Sequence, residues 1–266
     1  MNAGGKVVCV TGASGYVASW VVKLLLQRGY TVRATIRDPN DRKKMEHLVS
    51  LEGAEERLHL LKAELLEAVP FLRFWWPMGK TELIDPAVKG TLNVLKSCAK
   101  VPSIKRVVIT ASIVSVLYNE KPLTSNTVVD ETWFSDSHFC QKNKHWYMAS
   151  KTLAEEAAWK FAKENGIDLV VLNPGFMFGP LLQPALNSTS QVVLGFTKGE
   201  NTFSSSTYWL VDVRDVPKCE DYDKPLEPIF KVSQEKAKSL GVSFIPWDVG
   251  LRDIIESLKE RNFLSI

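Results

Sequence analysis

Cysteine is scarce in this chain and never clustered. The 266 residues hold four, Cys9, Cys98, Cys140 and Cys219. None stands at metal-ligand spacing from another Cys or from a His, which excludes a zinc module and a disulfide framework. Reduced thiols and a cytoplasmic setting are the expectation. A surplus of charge of one sign is also lacking: 33 Lys and Arg against 30 Asp and Glu give +3. That balance argues against a nucleic-acid partner or a membrane-surface partner. The short basic run Arg42-Lys43-Lys44 is read as a solvated helix face. No apolar run approaches the length of a membrane span, and the N-terminus has no apolar signal core. Repeats and low-complexity stretches are absent too. What remains, 45% hydrophobic and 24% charged residues, fits one large α/β domain, or one domain with a small appendage.

What the chain does have begins at Val7. Val7-Val8-Cys9-Val10-Thr11-Gly12-Ala13-Ser14-Gly15-Tyr16-Val17-Ala18 runs from an apolar strand through a glycine turn into a helix. Gly12 permits a sharp turn after the strand, Gly15 a close approach to a pyrophosphate, and Ala18 tight packing of helix on strand. The N–H groups and positive dipole end of that helix then face an anion. Strand, turn and helix fall in the order a dinucleotide phosphate requires. Cys9, inside the strand, is expected in the core.

Strand-like and helix-like segments alternate along most of the chain. Strands are expected at 6–11, 31–36, 57–62, 106–111 and 168–173, and helices at 16–27, 41–51, 82–100 and 145–165. Such alternation implies α/β architecture, a parallel sheet with helices on both faces. After Gly179 the pattern loosens. A short strand at 208–213 and short helices at 231–240 and 248–261 are expected there.

A second constellation lies in His145-Trp146-Tyr147-Met148-Ala149-Ser150-Lys151. Tyr147 and Lys151, four residues apart, share one helix face. A nearby ammonium stabilises tyrosinate, lowers the Tyr pKa and makes it a usable acid/base. The strand Arg106-Val107-Val108-Ile109-Thr110-Ala111 ends at Ser112, and ligands of such sheets bind at carboxyl ends of strands. Ser112 is therefore placed to hydrogen-bond a substrate carbonyl. His138 and His145 are read as bystanders, Trp133 and Trp146 as wall residues, and Cys140 as a free thiol. No metal ligands are expected.

These segments, together with Arg37-Asp38-Pro39, Lys89-Gly90-Thr91-Leu92-Asn93-Val94, Asp130-Glu131-Thr132-Trp133, Trp146-Tyr147-x-x-Ser150-Lys151-Thr152-x-Ala154-Glu155 and Asn173-Pro174-Gly175-x-x-x-Gly179-Pro180, cover roughly residues 6 to 216. The sequence resembles the extended short-chain dehydrogenase/reductase superfamily. Within it, it is similar to the plant branch of dihydroflavonol reductases, cinnamoyl-CoA reductases and cinnamyl-alcohol-dehydrogenase-like reductases. The resemblance implies a Rossmann-type doubly wound sheet and hydride transfer to an aldehyde or ketone. It casts Tyr147 as proton donor, Ser112 as the group that polarises the carbonyl, and Lys151 as a partner of Tyr147 and of the nicotinamide ribose. Thr11, Gly12, Ser14, Gly15, Tyr16 and Val17 would hold the cofactor phosphates, and Pro174, Gly175, Phe176 and Met177 its nicotinamide side. Arg37 stands where an NAD enzyme carries an acid, and with Lys44 it suits a 2′-phosphate, so NADP(H) is expected over NAD(H).

Two stretches depart from the family pattern. Glu64-Leu65 stands where an adenine-contacting Asp-Leu pair belongs, and the crossover helix and fourth strand that should follow are missing. Only six residues separate Glu64 from Phe71. Fully extended they reach about 24 Å, against three strand spacings of roughly 14 Å and a return of about 17–20 Å. Phe71 to Trp76 is either a makeshift central strand or an apolar plug. After Val216 a substrate-lid segment is missing as well. The expected organisation is a cofactor-binding domain over 1–180, carrying the catalytic residues, and a reduced substrate region over 181–266. An NADP-dependent reductase of a phenylpropanoid or flavonoid aldehyde or ketone is the leading reading, as monomer or homodimer. The alternative is a truncated, non-enzymatic binding relative. A sugar-nucleotide epimerase fits the Arg37 and Asn173 contexts less well.

Overall fold

Each apolar run at the start of the chain pairs in parallel with the next in the computed structural model, which describes residues 5–64, 80–198 and 230–265. β1 (Val7–Val10), β2 (Thr31–Ile36) and β3 (Leu58–Lys62) form a sheet in the order β1-β2-β3, with Val7 opposite Thr31 and Val32 opposite Leu58. α1 (Tyr16–Gln27) connects the first pair, and α2 (Arg42–Val49) and α3 (Ala54–Arg57) the second. Parallel neighbours need crossovers of this kind. Gly29, at φ 80°, closes α1, and the Asp41 carboxylate caps α2 by accepting the Lys44 N–H.

The chain divides into two units. The first comprises Met1–Glu64, Phe178–Asn201 and Ile245–Ile266. Its sheet buries the period-2 set Val32, Ala34 and Ile36 against Val22 and Leu26 of α1 and Leu48 of α2. Ala18 packs at the edge of this cluster, as its small side chain allows. Cys9 corrects the expectation that it lies in the core: it is exposed. In β1 it is Val10, one residue on and therefore on the opposite face, that is buried. A second cluster joins α8 (Ser188–Thr197) and α10 (Trp247–Glu260) through Leu181, Val193, Ile254 and Leu258. Arg261 fastens the end of α10 by donating to the carbonyls of Leu181, Leu182 and Gln183.

The second unit comprises Leu65–Met177 and Thr202–Phe244. β4 (Val107–Thr110) and β6 (Leu169–Leu172) pair in parallel, Val107 opposite Leu169 and Thr110 opposite Leu172. α7 (Trp146–Asn165) packs on α4 (Lys80–Ala99). Ala158 and Ala162 of α7, both small, let Leu95 of α4 seat between them and Leu169. Gly166, in the left-handed region at φ 65°, ends α7. Short elements fill the rest: α5 (Val114–Leu117), β5 (Val128–Val129), α6 (Ser137–Lys142), β7 (Lys231–Val232) and α9 (Glu235–Ser239). The helix expected over 231–240 begins only at Glu235, because Lys231–Val232 pairs with β5 instead.

Among the described residues, no strand joins β1 to β4. Leu65, the run Phe71 to Trp76, the strand expected at 208–213 and Cys219 lie outside those residues. Among the described residues no helix is long and apolar enough to cross a membrane. None of their His, Cys, Asp and Glu side chains form a group able to hold a metal.

Candidate active site

The glycine turn belongs to the first unit. Gly12 adopts φ +63°, a conformation that disfavours side-chain-bearing residues, and a Cβ there would meet no atom within 4 Å. Its N–H donates to Thr35 Oγ1 at 3.3 Å, and the next N–H, of Ala13, to the Thr35 carbonyl at 2.9 Å. The turn is thus moored to the end of β2. Gly15 is the N-cap of α1, and a Cβ on it would come 3.2 Å from the Gly12 carbonyl. No side chain caps α1, and its first turn carries no acid. An uncapped helix start without a carboxylate is suited to an anion.

Other expected cofactor residues of this unit vary in commitment. Thr11 is exposed, and Ser14 and Val17 are half-buried. The Tyr16 hydroxyl donates to the Gly179 carbonyl at 2.9 Å, and burial pushes its pKa up to about 12. Tyr16 therefore braces the segment at Gly179. Arg37 follows β2 and is exposed. Lys44 pairs with Asp41 at 3.0 Å, an i,i+3 contact on the surface of α2. Glu64 is exposed just beyond β3.

The second unit brings Ser112 and Tyr147 together. The Ser112 side chain hydrogen-bonds Tyr147, which pulls the phenol pKa down, but burial acts more strongly and leaves it raised. Lys151 Nζ lies 5.9 Å from the centroid of the Tyr147 ring. Burial lowers the Lys151 pKa. Spacing alone predicts a Tyr147 pKa depressed by Lys151; burial instead sets the direction, raising the phenol. Burial thus favours the protonated phenol at Tyr147.

Beneath this pair lies a chain of hydrogen bonds. The β4–β6 register sets Thr110 opposite Leu172, so the residues that follow emerge side by side. The Ser112 N–H donates to Asn173 Oδ1 at 3.2 Å, and the Ile113 N–H to the Pro174 carbonyl at 2.8 Å. Asn173 Nδ2 donates in turn to Glu155 Oε1 at 3.3 Å, which also accepts from Trp159 Nε1. Glu155 is buried, two turns along α7 from Tyr147. Sequence reading gave Asn173 and Glu155 no role. The available signal was the spacing 147, 151, 155 on one helix face. Pro174, Phe176 and Met177 are half-buried and Gly175 exposed in the loop after β6. His145 sits against Tyr118, ring centroids 5.7 Å apart, and Lys121 covers the ring of Trp133. Cys140 is a fully buried free thiol, its pKa raised to about 11 chiefly by burial.

Known proteins resemble this chain over nearly its whole length. The family model described as "NAD dependent epimerase/dehydratase family" matches residues 8–201. Cinnamoyl-CoA reductase CAD2 of Medicago truncatula is 48% identical over 321 residues, covering 98% of each chain. An alignment of 321 positions that takes in 98% of 266 residues, about 261, leaves about 60 positions where this chain has no residue. Tetraketide alpha-pyrone reductase 1 of Arabidopsis thaliana is 48% identical over 218 residues, covering 75% of this chain and 65% of that protein. Among solved structures, vestitone reductase from alfalfa superimposes with a TM-score of 0.75 at 25% identity, over 97% of this chain and 99% of that one. Yeast methylglyoxal/isovaleraldehyde reductase Gre2, complexed with NADPH, gives 0.74 at 21% identity, over 97% and 100%, a likeness of fold.

Proposed function

This chain belongs to the NAD dependent epimerase/dehydratase family, and on that premise we propose that it is an NADP(H)-dependent reductase of a small aromatic aldehyde or ketone, of phenylpropanoid or flavonoid type. The observation that carries the reading is the hydrogen bond between Ser112 and the buried Tyr147 phenol. A non-catalytic relative would have no need of a proton donor poised beside a second hydroxyl.

The residues present fit the cofactor. Gly12 and Gly15 supply an open turn, the uncapped start of α1 supplies N–H groups for a pyrophosphate, and exposed Arg37 supplies a cation for a 2′-phosphate. Thr11, Ser14, Tyr16 and Val17 would flank the phosphates, Lys44 would assist Arg37, and Glu64 would stand on the adenine side. Pro174 to Met177 would line the nicotinamide side. NADP(H), when bound, supplies the hydride.

The chain's own residues handle the proton and the oxygen. Ser112 donates a hydrogen bond to the substrate carbonyl oxygen and draws electron density from its carbon. Tyr147 transfers its hydroxyl proton to the same oxygen as the carbon accepts the hydride, so the carbonyl becomes an alcohol and Tyr147 a tyrosinate. The Lys151 ammonium stabilises that tyrosinate until solvent returns the proton. Asn173 and Glu155 hold the Ser112 backbone while this occurs.

Fluorescence titration with NADPH tests the reading. Saturable binding that Arg37→Ala weakens for NADPH far more than for NADH is the expected result. Absence of saturable binding would sink the reductase reading, and equal weakening would sink the phosphate role of Arg37.

A further inference from the structure

The segment that follows Asp130-Glu131-Thr132-Trp133 is laced to α5, the helix that starts just after Ser112. The motif itself folds as a closed turn. The Asp130 carboxylate accepts the Thr132 N–H at 2.8 Å and the Thr132 hydroxyl at 2.7 Å, and the Trp133 N–H donates to the Asp130 carbonyl at 3.0 Å. The turn delivers Phe134, Ser135 and Asp136 alongside α5. Asn119 Nδ2 donates to the Phe134 carbonyl at 3.0 Å, the Ser135 N–H to the Ser115 carbonyl at 2.9 Å, and the Asp136 N–H to the Tyr118 carbonyl at 2.8 Å. The Asp136 carboxylate then caps α6 by accepting the His138 and Phe139 N–H groups, and α6 packs on α7, the helix of Tyr147.

The Ser135 hydroxyl holds a particular place in this lacing. It donates to the Val114 carbonyl at 2.6 Å and accepts the Tyr118 N–H at 2.8 Å. In an unbroken α-helix the Tyr118 N–H would donate to that same Val114 carbonyl, four residues back. The hydroxyl is inserted between the two and stops α5 at Leu117. Ser135 is buried, so water competes little for either bond. The start of α5 engages Ser112. The Ser112 carbonyl accepts the Ser115 N–H at 2.9 Å, and Ser112 Oγ accepts the Val114 N–H at 3.4 Å. An Oγ that accepts there keeps its own proton for Tyr147 or for a carbonyl oxygen. Val114 is thus gripped on both sides, its N–H by Ser112 Oγ and its carbonyl by Ser135 Oγ.

We propose that Ser135 is a positioning residue for Ser112: acting through Val114, it fixes the direction of the Ser112 hydroxyl toward Tyr147. Its effect on turnover rests on the reductase reading; its effect on the Ser112–Tyr147 bond does not. In Ser135→Ala the Tyr118 N–H closes on the Val114 carbonyl, α5 gains a residue, and the Ser112 hydroxyl turns away from Tyr147. Carbon NMR of the full chain labelled at tyrosine Cζ, without cofactor, reads that bond, because the Cζ shift follows hydrogen bonding of the phenol. The Tyr147 resonance is the one missing from Tyr147→Phe. Ser112→Ala should displace it. Ser135→Ala should displace it the same way by about half as much or more, and the double variant no further than Ser112→Ala alone. Ser135→Cys, close in volume but a weak donor, should act likewise and serves if Ser135→Ala does not fold. The Tyr16 and Tyr30 resonances, in the first unit, should stay in place. A Tyr147 resonance unmoved by Ser112→Ala or by the Ser135 variants, or additive displacements in the double variant, would overturn the proposal. In turnover with NADPH, Ser135→Ala should lower kcat about tenfold, within the scale of a slight misplacement, at unchanged NADPH affinity; an unchanged kcat would overturn it too. A parent chain without turnover would sink the reductase reading and leave the resonances to decide the role of Ser135.

Discussion

Asn173→Ala is the substitution whose effect follows most directly from the structure. Asn173 ties the ends of β4 and β6 to α7, accepting from the Ser112 N–H at 3.2 Å and donating to Glu155 at 3.3 Å. Both bonds are long, so each belongs at the lower end of the usual range, about 0.5–1 kcal/mol. The site is half-buried, so water partly replaces what is lost. A destabilisation of about 1–2 kcal/mol follows. In urea that is a midpoint lower by about 0.5 M at unchanged slope. If the units unfold separately, the transition of the second unit is the one that moves. Asn173→Asp sharpens the test, since it keeps an acceptor for Ser112 but sets a carboxylate 3.3 Å from buried Glu155. Repulsion raises the folded-state pKa of the new pair above its unfolded value. The penalty is then small in acid, where the pair shares a proton, and grows as pH rises through the folded pKa. Asn173→Asp should therefore lie closer to the parent at pH 5 than at pH 8. A midpoint for Asn173→Ala within about 0.1 M of the parent, or no pH dependence for Asn173→Asp, would refute the reasoning.

The remaining predictions concern the first unit. Leu258 is fully buried against Leu181, Val193 and Ile254. Leu258→Ala should cost about 2–5 kcal/mol in chemical denaturation; a loss under about 1 kcal/mol would mean that cluster is not a packed core. His47 has both ring nitrogens buried without a hydrogen-bond partner among the described residues. Its pKa is lowered from 6.5 by burial and then by Arg261. A His whose folded pKa is depressed gives full stability above its unfolded pKa and loses it as pH falls below. Denaturation midpoints should thus drop below pH 6.5, and His47→Gln should flatten that part of the profile; an unchanged slope would discount His47.

Regular elements were legible in the sequence because period and punctuation agreed. Tyr16–Gln27 and Thr31–Ile36 match their expected bounds, one framed by Gly15 and Gly29, the other by strict alternation of Val32, Ala34 and Ile36. Family membership was legible from the motifs around Gly12, Tyr147 and Asn173. Short elements such as Val114–Leu117 and Ser137–Lys142 were not, because one or two turns carry no readable period. Lys231–Val232 was misread as helix, since its strand character comes from pairing with Val128–Val129, a partner about a hundred residues away. Exposure of Cys9 was hidden for a related reason: a strand's period marks its two faces but not which of them is covered. Tyr147 and Lys151 were found by spacing. The direction of their pKa shifts needed burial, which spacing does not carry.

The central claim is tested most directly by Tyr147→Phe. NADPH oxidation with a panel of aromatic aldehydes and ketones should proceed in the parent chain. In Tyr147→Phe it should fall by about a hundredfold or more, the scale of a lost general acid, while NADPH affinity stays nearly unchanged. Turnover by Tyr147→Phe equal to that of the parent would contradict the assignment of Tyr147 as proton donor and the account built on it.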